Sequence, residues 1–214
     1  MKVAIIDYGV GNLGSVARSL ESLKVKPILV NRPADINLAD SIILPGVGNF
    51  TECAKILEND GWSKIILEQV NEKKKPILGI CLGMQLLASF GLEGSLNQDS
   101  EGVKGLGLIP GSVINLKELG CNLSIPHVGW NEINLENKFE SVFYEIPKNT
   151  DFYFVHSYAF LPENLDHIIA KTEYGISIVA AVRNKHIWGT QFHPEKSSRA
   201  GLKLLENFIN ISIC

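Results

Sequence analysis

Apolar residues are distributed in two different textures along this chain. In the first half, short continuous apolar runs alternate with stretches where apolar positions recur every three or four residues. That alternation predicts parallel strands joined by helices, because a strand buried on both faces has no polar side while its helix keeps one apolar stripe. Lys2 to Asp7 is such a run, followed by a glycine-bearing loop and by Val16, Leu20 and Leu23 at helical spacing. Pro27 to Val30 and Ser41 to Leu44 are further strands bounded by turn residues, and Phe50 to Leu57 and Trp62 to Val70 read as helices. Lys73-Lys74-Lys75 reads as a solvated patch. Pro76 to Leu87 is an apolar run that turns amphipathic after Cys81, so it predicts a strand, a sharp turn and a helix. Gly91 to Gly105 is polar and predicts a surface loop containing Glu93.

From Leu106 the second texture begins. Val113 to Leu116, Val128 to Leu135, Asp151 to Tyr158, Ile168 to Thr172, Ile176 to Arg183 and His186 to Phe192 are successive β-rich segments with no helical spacing between them, which predicts antiparallel pairing. Lys196 to Asn210 closes the chain as an amphipathic helix with Leu202, Leu205, Phe208 and Ile209 on its apolar face. The expected fold is α/β: a mostly parallel central sheet flanked by helices, with additional antiparallel strands in the C-terminal half. No repeat, linker or low-complexity tract divides residues 1–214, so one domain is expected.

Composition narrows the partners. Hydrophobic residues make up 45% and charged residues 20% of the 214, the balance of an ordinary soluble protein. A formal net charge of -3 gives no electrostatic footprint for nucleic acid or an anionic membrane, and neither is expected as a partner. The N-terminal apolar run is too short for a signal peptide and no segment approaches a membrane span. Cys53, Cys81, Cys121 and Cys214 are scattered with no C-x-x-C, so a reducing cytoplasm is the expected location. His127, His156, His167, His186 and His193 show no metal-ligand spacing, and no metal or other cofactor is expected.

Three stretches carry candidate chemistry. In Gly79-x-Cys81-x-Gly83 the thiol takes the place of the serine in G-x-S-x-G, where a tight turn thrusts the nucleophile beyond the sheet edge. Glycines on either side relieve crowding between strand end and helix start, and a helix N-terminus favours a thiolate. Taken alone, Cys81 fits a small buried residue of a strand-helix turn more readily than a nucleophile. Pro45-Gly46-Val47-Gly48 follows a strand, and its glycines free the backbone to present N–H groups into the crevice at the strand ends, as an oxyanion hole requires; a plain turn is the alternative. In His193-Pro194-Glu195, residues two apart project to one side, which suits an imidazole base and a carboxylate that orients it, or a structural turn. Glycines 9, 11 and 14 satisfy G-x-G-x-x-G, but Asn31-Arg32 stands where the fingerprint wants an acidic residue, so a tight turn is preferred to a nucleotide site.

With P-G-x-G, G-[IV]-C-x-G-x-Q and H-P-E in this order, the sequence resembles the class I (triad) glutamine amidotransferases, whose fold is flavodoxin-like. Ile6 to Leu13, Pro126 to Asn131, Phe154 to Tyr158 and Gln191 to Ser197 further resemble the glutaminase subunits of imidazole glycerol phosphate synthases. The resemblance spans essentially the whole chain. It implies hydrolysis of L-glutamine to glutamate and ammonia through a γ-glutamyl thioester, with Cys81 as nucleophile, His193 as general base and acid, and Glu195 as its orienter. It also implies an oxyanion hole from Leu82 and the Gly46, Val47, Gly48 loop, and substrate contacts from Gln85, Glu93 and the backbone of Ser157 and Tyr158. The implied partner is a (β/α)₈-barrel cyclase, forming a heterodimer that converts PRFAR to imidazole glycerol phosphate and AICAR in histidine biosynthesis. Asn12, Trp130, Asn131 and Lys196 are expected on the docking face. Related subunits supply ammonia to surface-polysaccharide sugar-modifying enzymes, and Ala88 to Gly94 departs from the more acidic run usual after the elbow helix, leaving that alternative and the register of Glu93 open.

Overall fold

The computed structural model describes residues 1–93, 102–136 and 140–212. Its strands are β1 (Val3–Ile6), β2 (Pro27–Val30), β3 (Ser41–Gly46), β4 (Ile77–Cys81), β5 (Phe90–Gly91), β6 (Val103–Lys104), β7 (Gly111–Asn115), β8 (His127–Leu135), β9 (Asp151–His156), β10 (Tyr158–Pro162), β11 (Ile168–Glu173), β12 (Ser177–Asn184) and β13 (Ile187–Thr190). The α-helices are α1 (Leu13–Ser22), α2 (Phe50–Asn59), α3 (Trp62–Leu67), α4 (Leu82–Leu86) and α5 (Ser198–Ile211). No helix among the described residues is long and apolar enough to cross a membrane.

Nine strands form one sheet in the order β2-β1-β3-β4-β13-β12-β11-β8-β9. From β2 to β13 every pairing is parallel, and from β13 to β9 every pairing is antiparallel. The continuous apolar runs are explained by burial on both faces. Ala4, Ile6, Ile42 and Leu44 enter one core with residues of α2 and α3, while Val3, Ile5 and Ile43 enter a second with residues of α1 and α5. The C-terminal helix buries Leu204, Leu205, Phe208 and Ile209, whereas Leu202 stays half-exposed, so its apolar face is turned slightly from the expected one.

Three expectations are corrected. Asp151 to Tyr158 is not one strand: the chain breaks at Ser157, and β9 pairs with β8 while β10 pairs with β7 in a separate four-stranded sheet, β10-β7-β5-β6. Gly91 to Gly105 is not wholly loop, because its ends form β5 and β6, which pair with each other; residues 94–101, including Gly94, lie outside the described residues. The helix after Cys81 is not amphipathic. All five residues of α4 are buried, since it touches β3, β4 and β13 of the large sheet and also β5 and β10 of the small one.

Candidate active site

The turn from β4 into α4 is held by backbone contact. Cys81 has φ 54 and ψ -111, a left-handed conformation that costs a non-glycine residue about 1–3 kcal/mol and persists only where the surroundings over-determine it. The close backbone packing that Gly79 and Gly83 permit supplies that constraint. A Cβ on Gly83 would lie 1.8 Å from the Leu44 carbonyl oxygen, and one on Gly79 would lie 2.6 Å from the Gly83 oxygen. The parallel register sets Gly46 opposite Cys81, which brings the P-G-V-G segment beside the thiol. Cys81 is 6% exposed; its Sγ lies 3.8 Å from the Val155 carbonyl and accepts from Gln191 Nε2 at 3.7 Å.

β13 runs parallel to β4 with Thr190 opposite Ile80, so the residues after Thr190 leave the sheet alongside the elbow. His193 N–H donates to the Tyr153 carbonyl at 2.9 Å. Ser197 Oγ ties the same two segments, donating to the His193 carbonyl at 2.6 Å and accepting from Tyr153 N–H at 3.0 Å. His193 Nδ1 meets Glu195 Oε1 at 2.8 Å with both side chains almost fully buried. A carboxylate only accepts, so Nδ1 carries the proton and Nε2 is left for the pocket. Nε2 and Glu195 Oε2 are buried without a partner of hydrogen-bonding geometry. Burial disfavours the imidazolium most strongly, yet Cys81 and Glu195 together outweigh it and raise the His193 pKa to about 9. Cys81 is thus close enough to shift the ring's titration, even though no well-formed bond joins them.

Cys81 and His193 open on one cavity of about 340 Å³. Val47, Gly48, Leu82, Gln85, Glu93, Ser157 and Tyr158 line it as well, so most of the residues expected at the site come together. Gly46 does not line it and sits one step behind, in β3, where a Cβ would meet the Tyr8 hydroxyl at 2.8 Å. The Val47 carbonyl is turned toward Cys53, whose Sγ is 3.8 Å away. Gln85 Nε2 donates to the Tyr158 carbonyl at 3.0 Å and to Gln191 Oε1 at 2.9 Å. Glu93 lines the cavity, its Oε2 accepting from Phe50 N–H at 2.7 Å at the start of α2. Burial raises the Glu93 pKa, opposed by the Phe50 N–H and Asn49.

The expected docking residues divide into two kinds. Trp130 is 49% exposed on β8 and stands edge-on to Tyr153 with ring centroids 6.0 Å apart, while the Lys196 ammonium lies 5.6 Å from the centre of the Tyr153 ring. These three side chains form a patch next to His193, whose ring centroid is 6.4 Å from that of Tyr153. Asn12 and Asn131 are half-buried and hold backbone instead: Asn12 caps α1 by accepting from Ser15 N–H at 3.4 Å, and Asn131 donates to the Glu173 carbonyl at 2.8 Å.

Three polar features around the site are not legible in the sequence. Gln191 belongs to the motif that contains His193, yet the motif alone assigns its side chain no role. His156 is pushed down to about 4, chiefly by burial, with His127 and His193 adding to the effect and the Tyr158 carbonyl opposing it. It donates from Nδ1 to that carbonyl at 2.8 Å, and its Nε2 meets His127 Nδ1 at 3.0 Å. Tyr8 and Cys53, buried behind the P-G-V-G segment, are both pushed up, first by burial. Nothing in local spacing links residues so far apart in sequence.

The Glutamine amidotransferase class-I family matches residues 4–211. The chain is 44% identical over 209 residues to "Imidazole glycerol phosphate synthase subunit HisH 1" of Campylobacter jejuni (strain RM1221), covering 98% of this chain and 100% of the relative. It is 40% identical over 215 residues to "Imidazole glycerol phosphate synthase subunit HisH" of Pelagibacter ubique (strain HTCC1062), covering 99% and 100%. Among solved structures, a glutamine amidotransferase superposes with a TM-score of 0.73 at 17% identity, covering 99% of each chain. PurLQS from Thermotoga maritima superposes with a TM-score of 0.74 at 17% identity, covering 98% of each chain. The structural likeness speaks for the fold alone; the family match and the full-length identity together make the chain a member of the class I glutamine amidotransferase family.

Proposed function

We propose that this chain is the glutaminase subunit of an imidazole glycerol phosphate synthase, releasing ammonia from L-glutamine for a partner subunit. The observation that carries the proposal is the forced left-handed turn at Cys81 beside an imidazole oriented by a buried carboxylate, in one cavity of amino-acid size. In this scheme His193 Nε2 takes the Cys81 thiol proton as the sulfur attacks the carboxamide carbon, and the oxyanion is received by N–H groups of Leu82 and the Gly46 to Gly48 segment. The C–N bond breaks as His193 Nε2 delivers a proton to the leaving nitrogen, giving ammonia and a γ-glutamyl thioester. Water then attacks the thioester while His193 takes its proton, and glutamate leaves with the thiol restored. Glu195 fixes the tautomer that keeps Nε2 directed at the reaction. Gln85, Glu93 and the Ser157-Tyr158 backbone surround the rest of the substrate.

The full-length identity to HisH subunits favours histidine biosynthesis over a sugar-modifying pathway. The partner in this proposal is a (β/α)₈-barrel cyclase that turns PRFAR into imidazole glycerol phosphate and AICAR, in the cytoplasm. Residues 1–214 act as one domain, with Trp130, Lys196, Asn12 and Asn131 on or behind the docking face. The test is the assembled complex supplied with glutamine or with ammonium salt. Cys81→Ala is expected to abolish the glutamine-dependent rate and to leave the ammonium-dependent rate intact, because the partner's chemistry needs only ammonia. Loss of both rates in an intact complex, or survival of both, overturns the proposal.

A further inference from the structure

We propose that Gln191 is a positioning residue that uses one buried amide for two tasks, donating to the Cys81 sulfur and holding Gln85 at the cavity wall. The proposal rests on the role given above to Cys81. Gln191 is fully buried, and its backbone N–H is fixed to the Ala180 carbonyl at 2.8 Å. The orientation of both amides follows from donors and acceptors. The Tyr158 carbonyl can only accept, so the Gln85 atom 3.0 Å from it is the amide nitrogen. That same nitrogen lies 2.9 Å from the Gln191 side chain, so the Gln191 atom facing it is the oxygen. The Gln191 nitrogen is thereby directed to Cys81 Sγ, 3.7 Å away.

The consequence is a relay of fixed dipoles from the Tyr158 carbonyl through Gln85 and Gln191 to the sulfur. An N–H donor is stronger toward an anion than toward a neutral thiol, so Gln191 favours the sulfur in its attacking form. Its donor needs no helix dipole, which matters because α4 has only five residues. At the other end, anchoring Gln85 fixes a residue of the substrate cavity, so a change at Gln191 reaches substrate binding through Gln85.

Steady-state kinetics of the assembled complex test this with Gln191→Leu and Gln191→Glu. Gln191→Leu is expected to lower kcat with saturating glutamine by about ten- to hundredfold and to raise KM several-fold, while the ammonium-dependent rate is retained. Gln191→Glu supplies the distinguishing readout. A neutral carboxyl donates to sulfur and accepts from Gln85 as the amide does, whereas a carboxylate only accepts. The ratio of its glutamine-dependent rate to that of the wild type is therefore expected to rise as the pH falls. Taking the ratio at each pH removes the titration that the two proteins share, that of His193, His156, Glu93 and Tyr8, and leaves what the carboxyl at position 191 adds. Wild-type kcat within twofold in Gln191→Leu, or a ratio for Gln191→Glu that stays flat with pH, overturns the role of Gln191 while the glutaminase proposal stands. A wild-type complex active with ammonium but inert with glutamine overturns both.

Discussion

At Cys81 the cost of a left-handed backbone is borne because the close backbone packing that Gly79 and Gly83 permit holds the turn in place. Gly83→Ala would drive a methyl group against the Leu44 carbonyl in β3, which cannot yield without breaking the parallel pairing of β3 with β4. The variant is expected to lose more than about 3 kcal/mol of stability or to fail to fold. Gly14→Ala is the matched control, because in α1 its Cβ meets only the flexible end of Arg18 and alanine is the better helix former, so a gain of up to about 1 kcal/mol is expected. Urea denaturation distinguishes the two, and a Gly83→Ala protein as stable as wild type contradicts the account. Reactivity should follow the same geometry: a glutamine-like diazo-ketone is expected to label Cys81 and spare Cys53 and Cys121, which line no part of the cavity, while Cys214 lies outside the described residues. Peptide mapping that places the adduct on another cysteine defeats the assignment. The two site histidines give stability opposite pH dependences. His156, held down to about 4, takes up a proton near 6.5 only on unfolding, so stability falls on acidification through that window by up to ~3 kcal/mol. The contribution of His193, raised to about 9, is complete below about pH 6.5 and is lost as the pH rises through 9. His156→Gln is therefore expected to lose less stability than wild type between pH 7 and pH 5, and an equal loss refutes the assignment.

The elements differ in how far the sequence reveals them, for a physical reason in each case. β1, β3 and β4 are buried on both faces and so read as continuous apolar runs, and the catalytic candidates at the ends of β3 and β4 are named by motifs only a few residues long. The exchange of sheets at Ser157 has no such signature. β9 and β10 are one residue apart, and hydrogen bonds to β8 and to β7, far away in sequence, decide which sheet each one joins. β5 and β6, of two residues each, are too short for any periodicity to show. Of the three lysines before β4, Lys73 and Lys74 are exposed, whereas Lys75 is half-buried and donates to the carbonyls of Ile36 and Asn37, a contact that no local spacing shows. Likewise Gln85 and Gln191 meet only because parallel pairing of β4 with β13 aligns their ends. That alignment also depends on Ser197, whose hydroxyl joins the His193 segment to β9. Ser197→Ala is expected to cost about 1–2 kcal/mol and to lower kcat with glutamine more than the ammonium-dependent rate, because a buried N–H and a buried carbonyl lose their partner. Unchanged denaturation and unchanged kcat argue against that tie.

For the whole molecule, the decisive question is what docking with a partner contributes, since the residues expected to do the chemistry are already together in this chain. Two features favour control by docking. His193 Nε2 has no well-formed bond to the thiol, and the Val47 carbonyl is engaged toward Cys53, so the P-G-V-G segment is held from behind by a group that a peptide rotation would release. Gly48, with φ 94 and space around it, permits such a rotation where a β-branched residue would resist. Beside the site, Trp130, Tyr153 and Lys196 offer an exposed aromatic and cationic patch of the kind that anchors an interface. Control also has a chemical reason, because ammonia set free into water is protonated at neutral pH and lost as a nucleophile. The isolated chain is therefore expected to hydrolyse glutamine slowly, and the complex loaded with its acceptor substrate to do so at least a hundredfold faster in kcat, a change of about 2.7 kcal/mol and within the range of one oxyanion donor. Trp130→Ala is expected to weaken assembly by at least about tenfold and to leave the slow rate of the isolated chain unchanged, because Trp130 does not line the cavity. Glutamate release measured for the isolated chain, the complex and the loaded complex decides the matter: equal rates in all three would mean that the site is complete without a partner and that docking does not control it.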